Sequence, residues 1–593
     1  VKKLRGRTLV GLDLRSLALF RISLGFLVVI DTILRLGDLK AHYTDQGVLP
    51  RHILIDPASN LLSEFGISAY FLGGSTPFIL ALMLLQIVIG FALIIGFKTR
   101  LVTVVAWLLI ISLHSRNPLI ITGGDSLLSV LLMWSIFLPL GARYSVDRAL
   151  NSSSYDVPNH VSSFASAGLI IQVICVYVFN WLNKLDPVWI IDHTALYYTL
   201  HADIFVTHLG KVLRNYLGLT QFLTMTIHMF QLIGPVLLLI PFWVQQMRAI
   251  VIIFFVMFHI GIALTLNIGY FPYVSIVSWL ALTPAGFWDY LERRRERSRE
   301  SFIMYYDGGC DFCIKTVLMF KTFLFLDATP IKEAQSDTQI NAIFEENNTW
   351  VIRRNNKGLL TKWDAVVYAV GQSYYFSWLA PILRIRVLKK WGDGLYSHIS
   401  SHRGSYSKVT SMMRYNNYRV KLGLLLSIVS AGLIVFVVYW NIGNVSQLDI
   451  DKPALISHVG SATRIGQKWS MFAPTPIKAD GWLVAPGTLS DGSQVDVRTG
   501  NVINWEKPSH VADTYDNNRW RKYLVNIKKD KHTDQRVYYG KYICREWYSP
   551  GMPDGNSLQK FSLYFMQEYT EPPGESPTME RQLIWSHDCF SGK

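Results

Sequence analysis

Two cysteines separated by two residues are the clearest chemical feature of the sequence. Cys310-Asp-Phe-Cys313 follows a strand-like run, Phe302 to Tyr306, and an Asp-Gly-Gly turn, and an apolar-rich helix begins at this pair. Unsatisfied N–H groups at a helix N-terminus stabilise a thiolate and lower the pKa of the first cysteine. We therefore expect Cys310 to attack a disulfide and Cys313 to resolve the mixed disulfide.

Half of a zinc site is the alternative interpretation of the same pair. Zinc sites of this kind combine two such ligand pairs, and we expect neither a second C-x-x-C nor a close His pair in the segment from 301 to 405. The sequence therefore favours dithiol redox chemistry, and we predict that no metal is bound.

A lysine at the end of an apolar run is the second candidate. Lys184 lies in Trp181-Leu-Asn-Lys-Leu-Asp-Pro-Val-Trp189. A low-dielectric pocket disfavours the ammonium form and makes the amine a usable base near neutral pH. Asp186 as a counter-ion would oppose this shift in pKa. Snorkelling of Lys184 to the membrane interface accounts for the pattern equally well.

The amino-acid composition indicates whether the protein is in water or in a membrane. Of 593 residues, 50% are hydrophobic and 17% are charged, whereas soluble proteins carry about a quarter charged residues. The formal charge is +15, but the basic residues lie between apolar runs rather than on one face. We therefore expect a lipid bilayer as partner and no nucleic acid.

Nine apolar runs are candidates to cross about 30 Å of hydrocarbon, although several of them are short or carry polar residues. The ninth stands alone after a long polar insert. The predicted spans cover residues 17–36, 77–96, 100–114, 125–141, 164–183, 220–243, 248–267, 271–285 and 422–440.

Fourteen basic residues before or between the predicted spans, or directly after the eighth, fall on one side of the membrane if eight spans precede the insert. These residues are Lys2, Lys3, Arg5, Arg7, Lys98, Arg100, Arg143, Arg148, Arg248, Arg293, Arg294, Arg295, Arg297 and Arg299. The positive-inside rule assigns this side to the cytoplasm. The expected location is a bacterial inner (plasma) membrane, with the N-terminus and the C-x-x-C cytoplasmic and the chain beyond Trp440 extracytoplasmic.

Two polar regions interrupt or follow the spans. The insert has the strand, turn, helix and hairpin pattern of a small α/β module. The tail is rich in turns and has strand-like runs at 481–484, 520–527, 536–547 and 560–569, which predict a mainly β domain. Four regions are expected. They are a transmembrane domain of eight spans (1–300), the α/β domain (301–405), the ninth span (406–442) and the β-rich extracytoplasmic domain (443–593).

The remaining three cysteines have no assigned chemistry. Cys175 lies within the fifth predicted span and is interpreted as an apolar filler. Cys544 and Cys589 share the tail, and their spacing leaves a disulfide between them open.

The insert carries a family resemblance. Tyr306-Asp-Gly-Gly-Cys-Asp-Phe-Cys313, followed by Trp363-Asp-Ala365 at a helix start, resembles the DCC family of thiol-disulfide oxidoreductases over about residues 301–405. This resemblance implies a thioredoxin-like fold and a thiol-disulfide partner. The expected fold is therefore a polytopic α-helical membrane protein of about nine spans, with an inserted thioredoxin-like α/β domain and a C-terminal mainly β extracytoplasmic domain.

The membrane part carries a second resemblance, over about residues 12–285. Asn183-Lys-Leu-Asp186 with Trp189 resembles the segment around the catalytic base of the vitamin K-dependent γ-glutamyl carboxylases. Further matches to that superfamily, called HTTM, are Leu19-Phe-Arg21 with Gly25 and Asp31, Ser145-Val-Asp147, and Phe258-His259 followed by Ile268-Gly-Tyr-Phe271.

The HTTM resemblance implies that Lys184 deprotonates a quinol of the vitamin K/menaquinone type. It places Asp186, His259, Arg21 and Asp125 among the candidate pocket residues. In the carboxylase, the base formed after oxygen addition removes a glutamate γ-proton, and the carbanion captures CO2. The carboxylase has an Asn-His pair where this chain has Gly123-Gly-Asp125, and a carboxylate beside a carbanion is unfavourable. This difference argues against carboxylation and leaves quinol chemistry intact.

Three functions therefore remain open. The first is a membrane redox enzyme that combines a lysine base acting on a quinol with a dithiol module. The second is a peptide γ-glutamyl carboxylase and epoxidase with an ancillary dithiol module. The third is a non-catalytic maturation factor or scaffold for an exported peptide or protein.

Overall fold

The computed structural model describes residues 9–56, 68–153, 157–296, 300–347, 349–355, 357–448, 450–547 and 556–590. Six of the basic residues that predict the orientation, Lys2, Lys3, Arg5, Arg7, Arg297 and Arg299, lie outside the described residues.

Eight apolar helices occupy the predicted spans of the first 285 residues. They are α1 (Leu14–Leu36), α2 (Thr76–Ile95), α3 (Thr99–Arg116), α4 (Gly123–Ile136), α5 (Phe164–Leu182), α6 (Leu217–Leu238), α7 (Val244–Thr265) and α8 (Phe271–Leu280). With a later helix, Leu424–Ile442, seven helices of the described chain are long and apolar enough to cross a membrane. Helices α4 and α8 are shorter, so the count of nine spans stays a prediction.

The short helix α4 lies in the centre of the membrane domain. Its residues from Leu127 to Ser135 are all buried, and it contacts α3, α5 and α8. Helix α1 packs on α2 through two glycines. A Cβ on Gly90 would lie 2.6 Å from Val29, and one on Gly25 would lie 2.6 Å from Ile94. Small residues therefore allow the two helices to approach closely, as is usual between membrane helices.

The insert folds as the predicted α/β domain. Its elements are β1 (Phe302–Tyr306), α9 (Asp311–Phe323), β2 (Ile331–Glu333), α10 (Thr338–Asn347), β3 (Val351–Arg354), β4 (Gly358–Thr361), α11 (Lys362–Gly371) and α12 (Arg386–Ser401). The strand order is β2-β1-β3-β4, with β1 and β2 parallel and the other neighbours antiparallel. This arrangement fits the thioredoxin-like fold that the resemblance implies.

The insert rests against the loop between α4 and α5. The ring centroids of Tyr144 and Phe325 are 4.4 Å apart. After the insert, the Asn416 N–H donates to the Leu150 carbonyl at 3.0 Å, and the hydroxyl of Tyr418 accepts from the N–H of Gly141 at 3.1 Å. The α/β domain is therefore held at one end of the helix bundle.

The chain then forms helix α13 (Leu424–Ile442) and a mostly β C-terminal region. Its later elements are β5 (Ala479–Val484), β6 (Pro486–Leu489), β7 (Gln494–Asp496), α14 (Asn518–Ile527), α15 (Thr533–Glu546), β8 (Leu558–Tyr569) and β9 (Thr578–Asp588). The strands form one sheet in the order β9-β8-β6-β7, and β5 also pairs with β8. A disulfide joins Cys544 on α15 to Cys589 just after β9.

Two of the four predicted strands in the tail are wrong. Residues 520–527 and 536–547 lie mainly in helices α14 and α15, whereas the runs at 481–484 and 560–569 are strands. In α14 the buried side chains of Trp520, Tyr523, Leu524 and Ile527 follow the i, i+3, i+4, i+7 spacing of a helix face. This periodicity prevails over the β-propensity of the aromatic and branched residues.

Candidate active site

A cavity of about 390 Å³ lies between the membrane helices and the C-terminal region. Lys184 and His259 both line it, as do Thr122 and Gly123 at the start of α4. The C-terminal region contributes Met471 and Arg521, among other residues. The structure therefore brings Lys184 and His259 to one cavity, although the two residues are 75 positions apart in the sequence.

Lys184 comes directly after Asn183, the C-cap residue of α5, and is 3% exposed. Its Nζ atom lies 4.2 Å from the ring centroid of Trp189. In the amide orientation that satisfies both of its polar atoms, Asn180 accepts from Lys184 Nζ at 3.3 Å and donates to the Met471 carbonyl at 3.2 Å. Burial lowers the pKa of Lys184 to about 7, so that a large fraction of the amine is uncharged at neutral pH.

Asp186 is not the counter-ion of Lys184. Its carboxylate accepts the backbone N–H of Val188 at 3.1 Å and caps the short helix Pro187–Ile190. This use of Asp186 leaves the lowered pKa of Lys184 unopposed, and no carboxylate of the described chain forms an ion pair with Lys184.

His259 belongs to a hydrogen-bonded chain behind the cavity. The indole N–H of Trp279 donates to the Tyr177 hydroxyl at 2.7 Å, and this hydroxyl lies 2.7 Å from His259 Nε2. An indole can only donate, so the remaining hydroxyl proton of Tyr177 is available to Nε2. The proton of a neutral His259 then resides on Nδ1, which has no hydrogen-bond partner in the described chain.

Asp125 lies one turn from the cavity and belongs to a buried ion network. Its carboxylate accepts from Arg35 at 2.5 Å, from the Tyr270 hydroxyl at 2.6 Å and from the Thr122 N–H at 2.7 Å. Arg35 also pairs with Asp31 at 2.8 Å, and Arg519 of the C-terminal region pairs with Asp31. Asp125 therefore caps α4 and neutralises Arg35 rather than lining the cavity.

Arg21 is placed away from the cavity. Its guanidinium is fully buried and donates to four backbone carbonyls, those of Ile94, Leu140, Arg143 and Tyr144. These carbonyls belong to the last turn of α2 and to the loop after α4. Arg21 therefore ties helix ends together at the end of the bundle that carries the α/β domain.

The C-terminal contribution to the cavity was not predicted from the sequence. The Arg521 guanidinium donates to the Ile204 carbonyl at 2.9 Å, and Lys522 also lines the cavity. Burial lowers the pKa of Arg521 to about 10. The sequence signal that could have revealed it is the helical spacing of the apolar residues in α14. This helix places residues 521 and 522 beside the membrane helices.

The dithiol occupies the N-terminus of α9. Cys310 is the N-cap residue, and its sulfur accepts the backbone N–H of Cys313 at 3.3 Å. Cys310 is half-buried, whereas Cys313 is 2% exposed. Burial, with the hydrogen bond to Cys310, raises the pKa of the Cys313 thiol. The more accessible sulfur is therefore the one at the helix terminus.

An apolar cavity of about 190 Å³ adjoins Cys313. Phe320, Trp350, Trp363 and Leu395 contribute to its lining. The two sulfurs of the dithiol therefore have different surroundings. Cys313 lines a hydrophobic cavity, whereas Cys310 is half-buried.

Three groups of side chains in the described chain have potential metal-ligand atoms within 4.8 Å of one another. They are Asp307, Cys310 and Cys313; Asp31, His114 and Asp125; and His208, His510 and Asp513. The first contains the dithiol, the second is neutralised by Arg35, and the third lies near the protein surface. The expectation that the insert has no close His pair is wrong, because His398 and His402 lie one helical turn apart at the end of α12, and the centroids of their stacked rings are 4.4 Å apart. Neither histidine joins any of these three groups. The absence of a bound metal stays a prediction.

Apolar helices around a buried lysine, joined to a dithiol domain, define a membrane redox-related protein. The family model of the HTTM domain matches residues 11–285, and that of the DCC1-like thiol-disulfide oxidoreductases matches residues 304–409. The chain thus carries an HTTM domain followed by a DCC1-like domain, as the resemblances predicted. No curated protein and no solved structure gives a significant match.

Proposed function

We propose that the membrane cavity binds a quinol and that the Lys184 amine removes a proton from one of its hydroxyl groups. The single observation that carries this proposal is a buried amine that lines a cavity, has no carboxylate partner in the described chain and has a pKa near 7. A base with this pKa accepts a proton efficiently at neutral pH.

The cavity fits a quinol of the vitamin K/menaquinone type in polarity and in its unused hydrogen-bonding capacity. Aromatic and aliphatic side chains, including Phe205, Phe258 and Phe271, form much of its wall. The unpartnered Nδ1 of His259 is a buried polar atom that a ligand oxygen would satisfy. A bound quinol supplies two electrons and two protons.

Different residues of the chain would have different roles in such a site. Lys184 Nζ holds or releases a proton, and Asn180 positions this amine through its amide oxygen. His259 offers an Nδ1–H donor, with its tautomer supported by Tyr177 and Trp279. Burial of the amine among these side chains lowers its pKa, so that part of it is uncharged and able to accept a proton at neutral pH.

The DCC1-like domain supports a role as a thiol-disulfide oxidoreductase, and we propose a two-step exchange. The Cys310 thiolate attacks a partner disulfide, forms a mixed disulfide and releases one partner thiolate, which takes up a proton. The Cys313 thiolate then attacks Cys310, releases the second partner thiolate and leaves the Cys310–Cys313 disulfide. Two electrons pass to the partner; a quinone, reduced to a quinol, is the alternative acceptor.

Peptide γ-carboxylation is a second candidate because Asp125 bonds to Arg35 and does not line the cavity. The electrostatic objection raised by its sequence position is therefore weaker in the folded protein. This function further requires an exported glutamate substrate, whose incorporation of labelled CO2 is measurable.

The test is quinol oxidation by the purified protein in lipid nanodiscs under oxygen, with the epoxide quantified. We expect the wild type to form epoxide and Lys184→Met to lose this activity. Lys478→Met is the matched control, since Lys478 Nζ also lies over an aromatic ring, at 4.6 Å from Tyr198, but is exposed. Cys310→Ser should retain epoxide formation.

The outcomes separate the three functions. Epoxide without labelled CO2 in a glutamate peptide supports the quinol-oxidising enzyme, and epoxide with labelled CO2 supports the carboxylase. A wild type that forms no epoxide but exchanges disulfides contradicts the quinol proposal and favours the maturation factor.

A further inference from the structure

The DCC1-like domain exposes an apolar surface along residues 378–395. Its large side chains are between 39% and 76% exposed, and they include Trp378, Ile385, Val387, Leu388, Trp391 and Leu395. Four of them, Val387, Leu388, Trp391 and Leu395, follow one face of α12, and we call these four the apolar stripe. A contiguous exposed patch of this kind marks an interaction site rather than ordinary surface.

Basic residues accompany the apolar stripe. Arg384, Arg386 and Lys390 are exposed next to it, while Asp393 is the only acidic residue of α12. A helix with apolar side chains on one face and lysine or arginine beside them is suited to the headgroup region of an anionic bilayer.

The opposite face of α12 holds the helix on the domain. Gly392 packs on Trp363, so closely that a Cβ at this position would overlap the indole ring. The Tyr396 hydroxyl accepts from the Trp350 N–H at 2.8 Å. The exposure of the apolar stripe is therefore a property of a fixed orientation of α12.

The lipid bilayer is the partner closest to this surface, because the domain is connected to membrane helices at both ends. The domain follows α8 and precedes α13, two apolar helices, and Phe325 and Asn416 hold it against the loop between α4 and α5. Nearness, exposed apolar area and positive charge together favour lipid. We propose that α12 lies in the bilayer interface, with the apolar stripe in the acyl boundary and its basic residues at anionic headgroups.

This placement would bring the cavity beside Cys313 to the edge of the membrane. Leu395 belongs both to the apolar stripe and to the lining of that cavity, which Ile399 of the same helix also lines. A lipid-soluble acceptor such as a quinone would then reach Cys313 from the bilayer. This consequence depends on the proposed function, whereas the position of α12 does not.

The experiment measures the surroundings of a nitroxide label in the full-length protein. Trp391→Cys is labelled in a Cys310→Ser, Cys313→Ser background and reconstituted in nanodiscs of phosphatidylethanolamine and phosphatidylglycerol. Collision of the label with oxygen, which concentrates in lipid, is compared with collision with the polar complex Ni-EDDA. Gln339→Cys is the matched control, because it is exposed on α10, which packs on the other face of the sheet.

We expect the ratio of oxygen to Ni-EDDA collisions to be several-fold larger at 391 than at 339. Equal ratios would mean that α12 faces water, and low collision with both reagents at 391 would mean a protein partner; either result overturns the proposal. Val387→Cys provides the same measurement if Trp391→Cys does not fold. If the collision ratio is larger at 391, as expected, but the wild type does not oxidise quinol, the proposed function is contradicted and the position of α12 is not.

Discussion

The Nζ atom of Lys184 lies 4.2 Å from the ring centroid of Trp189, and this indole, rather than a carboxylate, is its electrostatic partner. The face of an aromatic ring attracts an ammonium more weakly than an ion pair does. Lys184 therefore has a contact that orients the side chain without restoring its usual pKa. The matching carboxylate two residues away, Asp186, caps a helix instead.

Quinol oxidation should increase with pH until Lys184 is deprotonated. In the proposed reaction the free amine of Lys184 is the base, and burial lowers its pKa to about 7. The initial rate should therefore rise about tenfold per pH unit well below pH 7 and level off about one unit above it. Initial rates in nanodiscs over this range check the profile. A rate that falls with rising pH would exclude the free amine as the base, and Lys184→Arg, which stays protonated, should be inactive throughout.

Replacing Lys184 with methionine should raise the melting temperature near neutral pH. In the unfolded chain the lysine pKa is 10.5, and in the folded protein it is about 7. Between these values the unfolded state binds more protons, so the free energy of unfolding of the wild type rises with pH. The advantage of Lys184→Met should be several degrees at neutral pH and should shrink as the pH approaches 10.5. An advantage that does not change with pH would indicate better packing alone.

Alkylation should modify Cys310 well before Cys313. Cys310 is half-buried at the terminus of α9, while Cys313 is 2% exposed and burial raises its thiol pKa. Mass spectrometry after timed exposure to iodoacetamide measures both rates in the native protein. Cys313→Ser should accumulate a mixed disulfide with a partner, whereas Cys310→Ser should not. Cys175→Ser, in the buried α5, should match the wild type.

Asp125→Asn should destabilise the protein strongly. The change leaves the buried Arg35 without one of its two carboxylate partners, and breaking a buried ion pair costs about 3–5 kcal/mol. Asp364→Asn is the control, because its partner Lys389 is exposed, and such pairs contribute about 1 kcal/mol or less. Thermal unfolding in detergent compares the two. Equal effects would show that the network around Asp125 is not a major source of stability.

The C-terminal cysteines and the dithiol should react from opposite sides of the membrane. The positive-inside rule predicts that Cys310 is cytoplasmic and that the region after α13 is extracytoplasmic. An impermeant maleimide added to intact cells after mild reduction should label Cys544 and Cys589. It should label Cys310 only after permeabilisation. Labelling of Cys310 in intact cells would reverse the assigned topology.

The hydrophobic pattern predicted the helices of the membrane domain well because each long apolar run is interpretable on its own. The C-x-x-C and the strand before it were also predictable, because they are recognised from a few consecutive residues. The structure places Cys310 at the N-terminus of α9. Cys544 and Cys589 were left open, because pairing depends on the distance between α15 and the end of β9.

The cavity was predictable only in part, since its lining depends on contacts far apart in sequence. Lys184 and His259 were candidates from their positions in or beside spans. Arg21 resembled them in sequence, but it satisfies backbone carbonyls at helix ends. The contribution of α14 was missed because its aromatic residues suggested a strand, whereas the spacing of its buried side chains required a helix.

The pairing of Arg519 with Asp31 has a consequence for biosynthesis. The ribosome synthesises the apolar helices α1 to α8 and α13 before it reaches α14, and until α14 has docked one wall of the cavity is missing. Water then reaches Lys184, whose amine stays protonated and unreactive in that environment. On the proposed function, a nascent or truncated chain would not oxidise quinols until α14 has packed against the membrane helices.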